Sequence, residues 1–188
     1  LHKNIYVFED AAYQVDVVNP APLPNKIVFT GHLYKDRGVD QILRIANIFL
    51  DAEFIFIGGT DVDINYWKKV NTNKNVKFKG FLEPSKIHTE QMNAGILLIN
   101  YSKKLSTAKV MSPLKLWEYI STGNLVVATK VGPAIEDKKN ILITVEPDDD
   151  DDLIKVLRYT IDNYDYLLRK HRKNILGLKI PTWDLRAK

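Results

Sequence analysis

Apolar residues along this chain fall into short continuous runs and longer runs with helical spacing. A β-branched run at 26–31 predicts a strand, and apolar residues recurring every three or four positions over 39–50 predict the helix that follows it. Further apolar runs predict strands at 53–59, 76–80, 94–100, 125–128 and 141–145. Helical spacing or capping residues predict helices at 61–71, 84–93, 113–122 and 153–164.

This alternation of strands and helices decides the fold class. Short, nearly continuous apolar strands are typical of a parallel sheet that is buried on both faces by crossover helices. The sequence therefore predicts a Rossmann-like, doubly wound α/β fold with about six parallel strands and helices on both faces. Ligands of such sheets bind beyond the carboxyl ends of the strands, so the residues that follow each strand are the candidates for function.

The amino-terminal segment has a different character. It contains Pro20, Pro22 and Pro24, and closely spaced prolines favour an extended connector over a packed element. We therefore predict a connector or trailing segment over 1–25 and one globular domain over 26–188. Near the other end, Thr182 and Trp183 predict the cap and the start of a final helix.

The helix predicted at 113–122 has markers at both ends. Ser112 is a suitable N-cap, Pro113 fits the first helical position, and Gly123 can end the helix in the left-handed conformation. A helix N-terminus favours a bound phosphate through its N–H groups and partial positive charge. Lys115 and Glu118 share one face of this helix. The pattern fits either an ordinary capped helix with a solvated ion pair or a site for a phosphate and sugar hydroxyls.

Composition narrows the function classes. The 188 residues are 45% hydrophobic and 27% charged, as in soluble globular proteins, and no apolar run approaches the ~20 residues that cross a bilayer. The absence of cysteine excludes disulfides, thiolate nucleophiles and cysteine-ligated metals. A net charge of +4 suits an anionic ligand or an acidic membrane surface, but without clustered Lys and Arg it predicts no nucleic-acid partner.

We also predict no metal site. The acidic run 148–152 precedes an amphipathic helix, where carboxylates complement the helix dipole, and it lacks the glycine and terminal glutamate of a calcium loop. The four histidines are scattered without metal-ligand spacing, and only His32 directly follows a predicted strand.

The loop after the first strand is a candidate phosphate site. Gly31 ends the strand where a backbone close to a ligand would need a glycine, and the guanidinium of Arg37 can fork onto phosphate oxygens. The spacing fits neither a P-loop nor a Gly-x-Gly-x-x-Gly fingerprint. A tight turn with exposed cations explains this loop equally well.

Together, these motifs resemble the carboxy-terminal, donor-binding domain of a GT-B fold glycosyltransferase of the large retaining family four. The likeness covers 26–188 and depends on the order and spacing of several motifs rather than on any one of them. The motifs are Gly31-x-Leu33-x-x-x-Arg37-Gly38, Ile57-Gly58-Gly59, Val76-x-Phe78-x-Gly80-Phe81, Ser112-Pro113-Leu114-Lys115-Leu116-Trp117-Glu118-Tyr119 and Pro181-Thr182-Trp183.

The resemblance implies which residues bind the donor diphosphate. The family positions after the first glycine and before the second correspond to His32 and Arg37. His32 departs from the usual arginine, and an imidazole carries its charge only part of the time near neutral pH. Ser112 and the backbone N–H groups around Leu114 and Lys115 would also face the diphosphate.

The resemblance also implies how the nucleoside binds. Glu118 matches the second acidic residue of a Glu-x7-Glu pair, which holds the ribose hydroxyls. The first acidic residue of that pair would fall at Val110, so recognition of the donor sugar differs from the usual pattern. Gly58 and Phe81 correspond to the places where the base is bracketed.

The implied activity is retaining transfer of a sugar from a nucleotide diphosphate sugar to an acceptor hydroxyl, in polysaccharide or glycoconjugate biosynthesis. The resemblance implies no metal or other cofactor, and a cytoplasmic protein for which peripheral contact with the inner membrane face stays open. The acceptor would bind an amino-terminal domain outside this chain. We therefore expect the chain alone to bind donor and to transfer little or no sugar.

Two other functions remain open at this point. One is a non-catalytic sugar-nucleotide-binding module, and the other is a nucleotide-sugar epimerase of similar fold, for which we find no suitable acidic and histidine residues. A flavodoxin-like or receiver domain fits less well, because the chain is too long and its first strand does not end in an acidic cluster.

Overall fold

The computed structural model describes residues 11–12, 22–107, 113–176, 178 and 180–183. Six strands and seven α-helices alternate along most of this part of the chain. The strands are β1 (Lys26–Thr30), β2 (Glu53–Ile57), β3 (Val76–Gly80), β4 (Ile96–Ile99), β5 (Leu125–Thr129) and β6 (Ile143–Val145). The helices are α1 (Val39–Ala46), α2 (Asp61–Val70), α3 (Pro84–Met92), α4 (Leu114–Ser121), α5 (Pro133–Glu136), α6 (Asp150–Asp162) and α7 (Tyr164–Ile175).

The strands form one sheet in the order β3-β2-β1-β4-β5-β6, and every neighbouring pair is parallel. The predicted doubly wound fold of six parallel strands is therefore confirmed. The strand order reverses between β1 and β4, which lie side by side although three helices and two strands separate them in sequence. Connections from these two strands leave towards opposite sides, and a crevice opens at the carboxyl ends between them.

The core has one layer on each face of the sheet, because successive residues of a strand point to opposite faces. In β1, Ile27 and Phe29 pack with helices α1, α2 and α6, whereas Val28 packs with α4 and α5. Every residue of β4 and β5 is buried. The continuous apolar runs in the sequence follow from this burial on both faces.

The structure corrects the predicted start of the helix at 113–122. Pro113 precedes the helix with an extended backbone (φ −71°, ψ 118°), and α4 begins at Leu114. The proline ring fixes φ but not ψ, and the extended ψ places Pro113 just before the first helical residue. The carbonyl oxygen of Pro113 still accepts from the N–H of Leu116 at 2.9 Å. Gly123 follows the helix with φ 71°, which confirms its predicted left-handed conformation. Ser112 lies outside the described residues.

The sequence patterns did not predict all of the helices near the end of the chain. The turn predicted around Gly132 contains the single-turn helix α5. The helix predicted over 153–164 ends at Asp162, and α7 begins after Asn163, whose backbone leaves the helical region (φ −112°, ψ 23°). The acidic run does begin α6, with Asp149 accepting from the N–H of Asp152, as predicted from the helix dipole.

Segments near the two ends of the described chain also meet. Ala12 is buried, its N–H donates to the carbonyl oxygen of Pro181 at 2.9 Å, and it forms a parallel bridge with Thr182. Trp183, predicted to start the final helix, is helical, and the residues after it lie outside the described part of the chain. The division into 1–25 and 26–188 stays a prediction.

Candidate functional site

A cavity of about 540 Å³ occupies the crevice between the carboxyl ends of β1 and β4. The loop after β1, the inner side of α3, the loop after β4 and the first turns of α4 form its walls. Its size and position are those of a small-molecule site in an open α/β sheet. The predicted helix 113–122 therefore lies at the ligand edge of the sheet.

Two basic side chains lie at one end of this cavity, and each contacts the face of an aromatic ring. The Lys115 ammonium lies 3.9 Å from the ring centroid of Phe29 and 5.2 Å from that of Tyr101. The Arg37 guanidinium lies 5.0 Å from the Tyr101 centroid on the cavity side. Aromatic faces attract cations electrostatically, so these rings hold two like charges close together. Two basic side chains side by side give this end of the cavity hydrogen-bond donors and a positive potential of the kind that suits an anion.

The surroundings of Lys115 also change its protonation. Burial and, as a smaller contribution, the positive charge of Arg37 lower the pKa of Lys115 to about 7, against the opposing effect of Glu118. Gly31 leaves the space that the lysine occupies, since a β-carbon at this position would lie 3.3 Å from the Lys115 nitrogen. An anion bound here would stabilise the charged lysine.

Glu118 stands one turn further along α4 and is partly buried. One of its carboxylate oxygens accepts a hydrogen bond of 3.2 Å from the side-chain amide of Gln91 on α3. The same amide lies 3.4 Å from the Thr30 hydroxyl at the end of β1. A carboxylate in this position can accept hydrogen bonds from ligand hydroxyl groups.

A buried hydrogen-bonded pair fixes α4 against the first strand. The Tyr119 hydroxyl accepts from the Thr30 N–H at 2.8 Å and forms a second hydrogen bond of 3.0 Å with the Thr30 hydroxyl, in which either hydroxyl can donate. Burial raises the pKa of the Tyr119 phenol above its usual range, so the group stays neutral. Because α4 cannot rotate without breaking these contacts, Lys115 and Glu118 keep their orientation towards the cavity.

Most of the predicted diphosphate-binding residues line the cavity. His32 lies at its rim, where its ring stacks on Tyr34 with the centroids 4.9 Å apart. Arg37, Leu114 and Lys115 also contribute to the walls. Ser112, the remaining predicted diphosphate ligand, lies outside the described residues, as does Val110, where the family pattern has an acidic residue.

The two predicted base-bracketing residues lie outside the cavity walls. Gly58 follows β2 with φ 107°, and a β-carbon there would lie 2.4 Å from the Gly31 carbonyl oxygen, so this glycine lets the two loops pack closely. Phe81 follows β3 with 75% of its surface exposed. Both residues lie on the carboxyl side of the sheet, and their role in base binding stays a prediction.

Several residues of the cavity were absent from the predicted site, among them Thr30, Gln91 and Tyr101. Thr30 and Tyr101 follow or end strands, so the rule about strand ends could have identified them. Gln91 gave no comparable signal, because only the packing of α3 shows which of its faces meets α4. The described residues contain no cluster of three or more His, Asp or Glu side chains that could hold a metal ion. None of the described helices is long and apolar enough to cross a membrane.

Fold and site together define a doubly wound α/β domain with a cavity lined by two basic side chains at its topological switch point. Comparison with known families assigns it further, because the sequence profile of the glycosyl transferases group 1 matches residues 24–163. The chain therefore belongs to the group 1 glycosyltransferase family. No match to its sequence was found among curated proteins.

Solved structures similar to this chain include three proteins of low sequence identity. HepE of Anabaena, solved with UDP, matches with a TM-score of 0.67 and 15% identity over 87% of this chain. WaaG, a glycosyltransferase involved in lipopolysaccharide biosynthesis, gives 0.66 and 14% over 89%. The carboxy-terminal domain of LpcC from Francisella tularensis gives 0.66 and 22% over 81% of this chain.

This chain covers different fractions of the three solved proteins. The chain spans 46% of HepE and 47% of WaaG, or about half the length of these proteins. It spans 83% of the LpcC carboxy-terminal domain, which was solved by itself. These likenesses establish that the fold is that of a GT-B carboxy-terminal domain.

Proposed function

We propose that this chain is the donor-binding domain of a retaining glycosyltransferase and that its cavity binds a nucleotide diphosphate sugar. The observation that carries the proposal is the meeting of Arg37, Lys115 and Glu118 at the switch point of the sheet. Two cations and the N-terminal turn of α4 provide positive potential for a diphosphate, and the carboxylate provides an acceptor for ribose hydroxyls. HepE, which shares the fold, binds UDP.

The proposed chemistry is transfer of the sugar to an acceptor hydroxyl with retention at the anomeric carbon. Cleavage of the donor leaves negative charge on the departing nucleoside diphosphate. Fixed cations and helix N–H groups stabilise such charge in the transition state without rearranging. We therefore assign Arg37 and Lys115 to the diphosphate, together with His32, Ser112 and Leu114. No metal or other cofactor is part of this proposal.

The nucleoside half of the proposal places Glu118 on the ribose and Gly58 and Phe81 around the base. The test is calorimetric titration of the chain with UDP, GDP and ADP, repeated on Arg37→Ala and Glu118→Gln. Each substitution removes a charge-assisted hydrogen bond, so we expect affinity for the best nucleotide to fall at least about tenfold. Arg44→Ala is the matched control, because Arg44 pairs with Asp40 and Asp150 outside the cavity. Binding that ignores both cavity substitutions would refute the proposed site.

We further propose that the chain alone binds donor but transfers little or no sugar. The chain spans about half of HepE and WaaG, and our proposal assigns acceptor binding to a separate amino-terminal domain. Product formation is measured with the nucleotide sugar of the best-binding nucleoside diphosphate and a panel of acceptor sugars. Efficient transfer by the chain alone would contradict this proposal. Binding by a longer form without transfer would favour the non-catalytic module instead.

The pathway and location are also proposals. Polysaccharide or glycoconjugate biosynthesis at the cytoplasmic side of a membrane would suit this family. Peripheral contact with anionic lipid is compatible with the net charge of +4.

A further inference from the structure

Gln91 is more deeply buried than the other buried polar residues in the cavity wall: 2% of its surface is exposed, against 5% for Thr30 and 5% for Ser121. Its side-chain amide nitrogen donates to the Glu118 carboxylate at 3.2 Å and lies 3.4 Å from the Thr30 hydroxyl. The amide thus connects α3 to α4 and to the end of β1. The activity proposed above assigns no role to this residue.

The backbone of Gln91 is fixed independently of its side chain. Asn124, which is 1% exposed, donates from its side-chain amide to the carbonyl oxygens of Gln91 at 3.0 Å and Met92 at 2.9 Å. The end of α3 is therefore tied to the segment that follows α4. Asn124 holds the backbone of Gln91, and Tyr119 holds the helix that carries Glu118. The Gln91 amide is therefore a rigid donor.

A neutral donor has a specific consequence for Glu118. A cationic partner would compensate the carboxylate charge, whereas an amide restricts the side chain and leaves that charge for another hydrogen-bond donor. Gln91 takes one of the acceptor positions of the Glu118 carboxylate, and the remaining positions, including those on the second oxygen, can accept from a ligand. Fixing a flexible side chain before binding reduces the entropy that binding must remove.

We propose that Gln91 is a positioning residue that presents Glu118 to the ribose hydroxyls of a bound nucleoside diphosphate. This inference rests on the proposed function, because it takes Glu118 as the ribose ligand. It predicts that Gln91 governs discrimination between ribose and 2′-deoxyribose. A residue that only supports the fold would change affinity for both sugars alike.

The experiment measures calorimetric affinities for UDP, GDP and ADP and for dUDP, dGDP and dADP. The unsubstituted chain should prefer the ribose form of its best nucleotide by about tenfold, the effect of one hydrogen bond to a charged group. Gln91→Met removes the donor at similar length and should reduce this preference at least about threefold, while affinity for the deoxy form changes less than about twofold. Gln91→Asn keeps an amide but shortens its reach, and it should give the same loss.

Glu118→Gln separates failure of this inference from failure of the proposed function. If Glu118→Gln loses the ribose preference while both Gln91 variants keep it, the positioning role is overturned and the site stands. If Glu118→Gln keeps the preference as well, the ribose assignment fails and this inference fails with it. Thermal unfolding of each variant identifies misfolding, and Gln91→Asn decides the result if Gln91→Met does not fold.

Discussion

If the chain binds a nucleoside diphosphate as proposed, Lys115 should make that binding depend on pH to an extent that can be calculated. Its ammonium lies among Phe29, Tyr101 and Arg37, and burial together with the Arg37 charge lowers its pKa to about 7. A lysine with this pKa is roughly half protonated at pH 7 and roughly 1% protonated at pH 9. An ordinary lysine would stay charged over this whole interval.

A bound diphosphate places negative charge beside Lys115 and raises its pKa, so binding above pH 7 must take up a proton. If the lysine of the complex stays protonated up to pH 9, the affinity should fall by about 50-fold between pH 7 and pH 9, the ratio of the two protonated fractions. The nucleotide itself does not account for this fall, because a terminal phosphate with a pKa of ~6 is mostly ionised at pH 7 and any further ionisation adds negative charge that favours binding to cations.

Calorimetric titrations with the best-binding nucleoside diphosphate at half-unit pH steps measure this dependence. Repeating them in buffers of different ionisation enthalpy gives the number of protons taken up. Lys115→Arg is the matched control, because a guanidinium stays charged throughout, and its affinity should vary by less than about threefold. A flat profile for the unsubstituted chain, or the same slope in Lys115→Arg, would refute the assignment of Lys115 to the diphosphate.

Two further predictions concern stability. Tyr119→Phe leaves the buried N–H of Thr30 without its hydrogen-bond acceptor and should lower the free energy of unfolding by about 1–3 kcal/mol in urea titrations at pH 7.5; an unchanged midpoint would contradict this account of how α4 is held. Burial lowers the pKa of His171 in the folded chain, so on acidification the imidazole of the unfolded chain is protonated first. The stability that the neutral imidazole contributes is complete above pH ~6.5 and is lost as the pH falls below that value. His171→Leu should flatten the pH dependence of unfolding between pH 7 and 5 by at most about 1.4 kcal/mol per pH unit, and an identical pH dependence in both proteins would exclude His171 as its source.

The fold was predictable because burial on both faces leaves a strong mark on the sequence. Strands such as β4 and β5 are apolar at every position, and the helices between them repeat their apolar residues with helical spacing. Helix α7 was missed because its buried positions include His171, a polar residue that breaks the apolar pattern. The single-turn helix α5 is too short for any periodicity to show.

The candidate site was predictable where function follows strand ends. Gly31 and Arg37 follow β1, and α4 follows β4 after a loop, so topology alone places them at one edge. Gln91 could not be predicted, because its proposed role depends on a contact between α3 and α4, and the 21 residues 93–113 separate these helices in the sequence. The rings beneath Lys115 likewise come from two different strands or strand ends.

Helix α4 combines the structural and the proposed functional parts of the site within two turns. Glu118 and Tyr119 follow Lys115 by three and four residues, so all three project towards the switch point. Tyr119 is anchored to β1 and Glu118 is bonded to α3, whereas Lys115 depends on the rings and on the space above Gly31. The helix that carries both charged residues is thus held by one buried hydroxyl, and the carboxylate is oriented by one buried amide. Substitutions at those two neutral residues should therefore alter ligand recognition without removing any charge from the cavity.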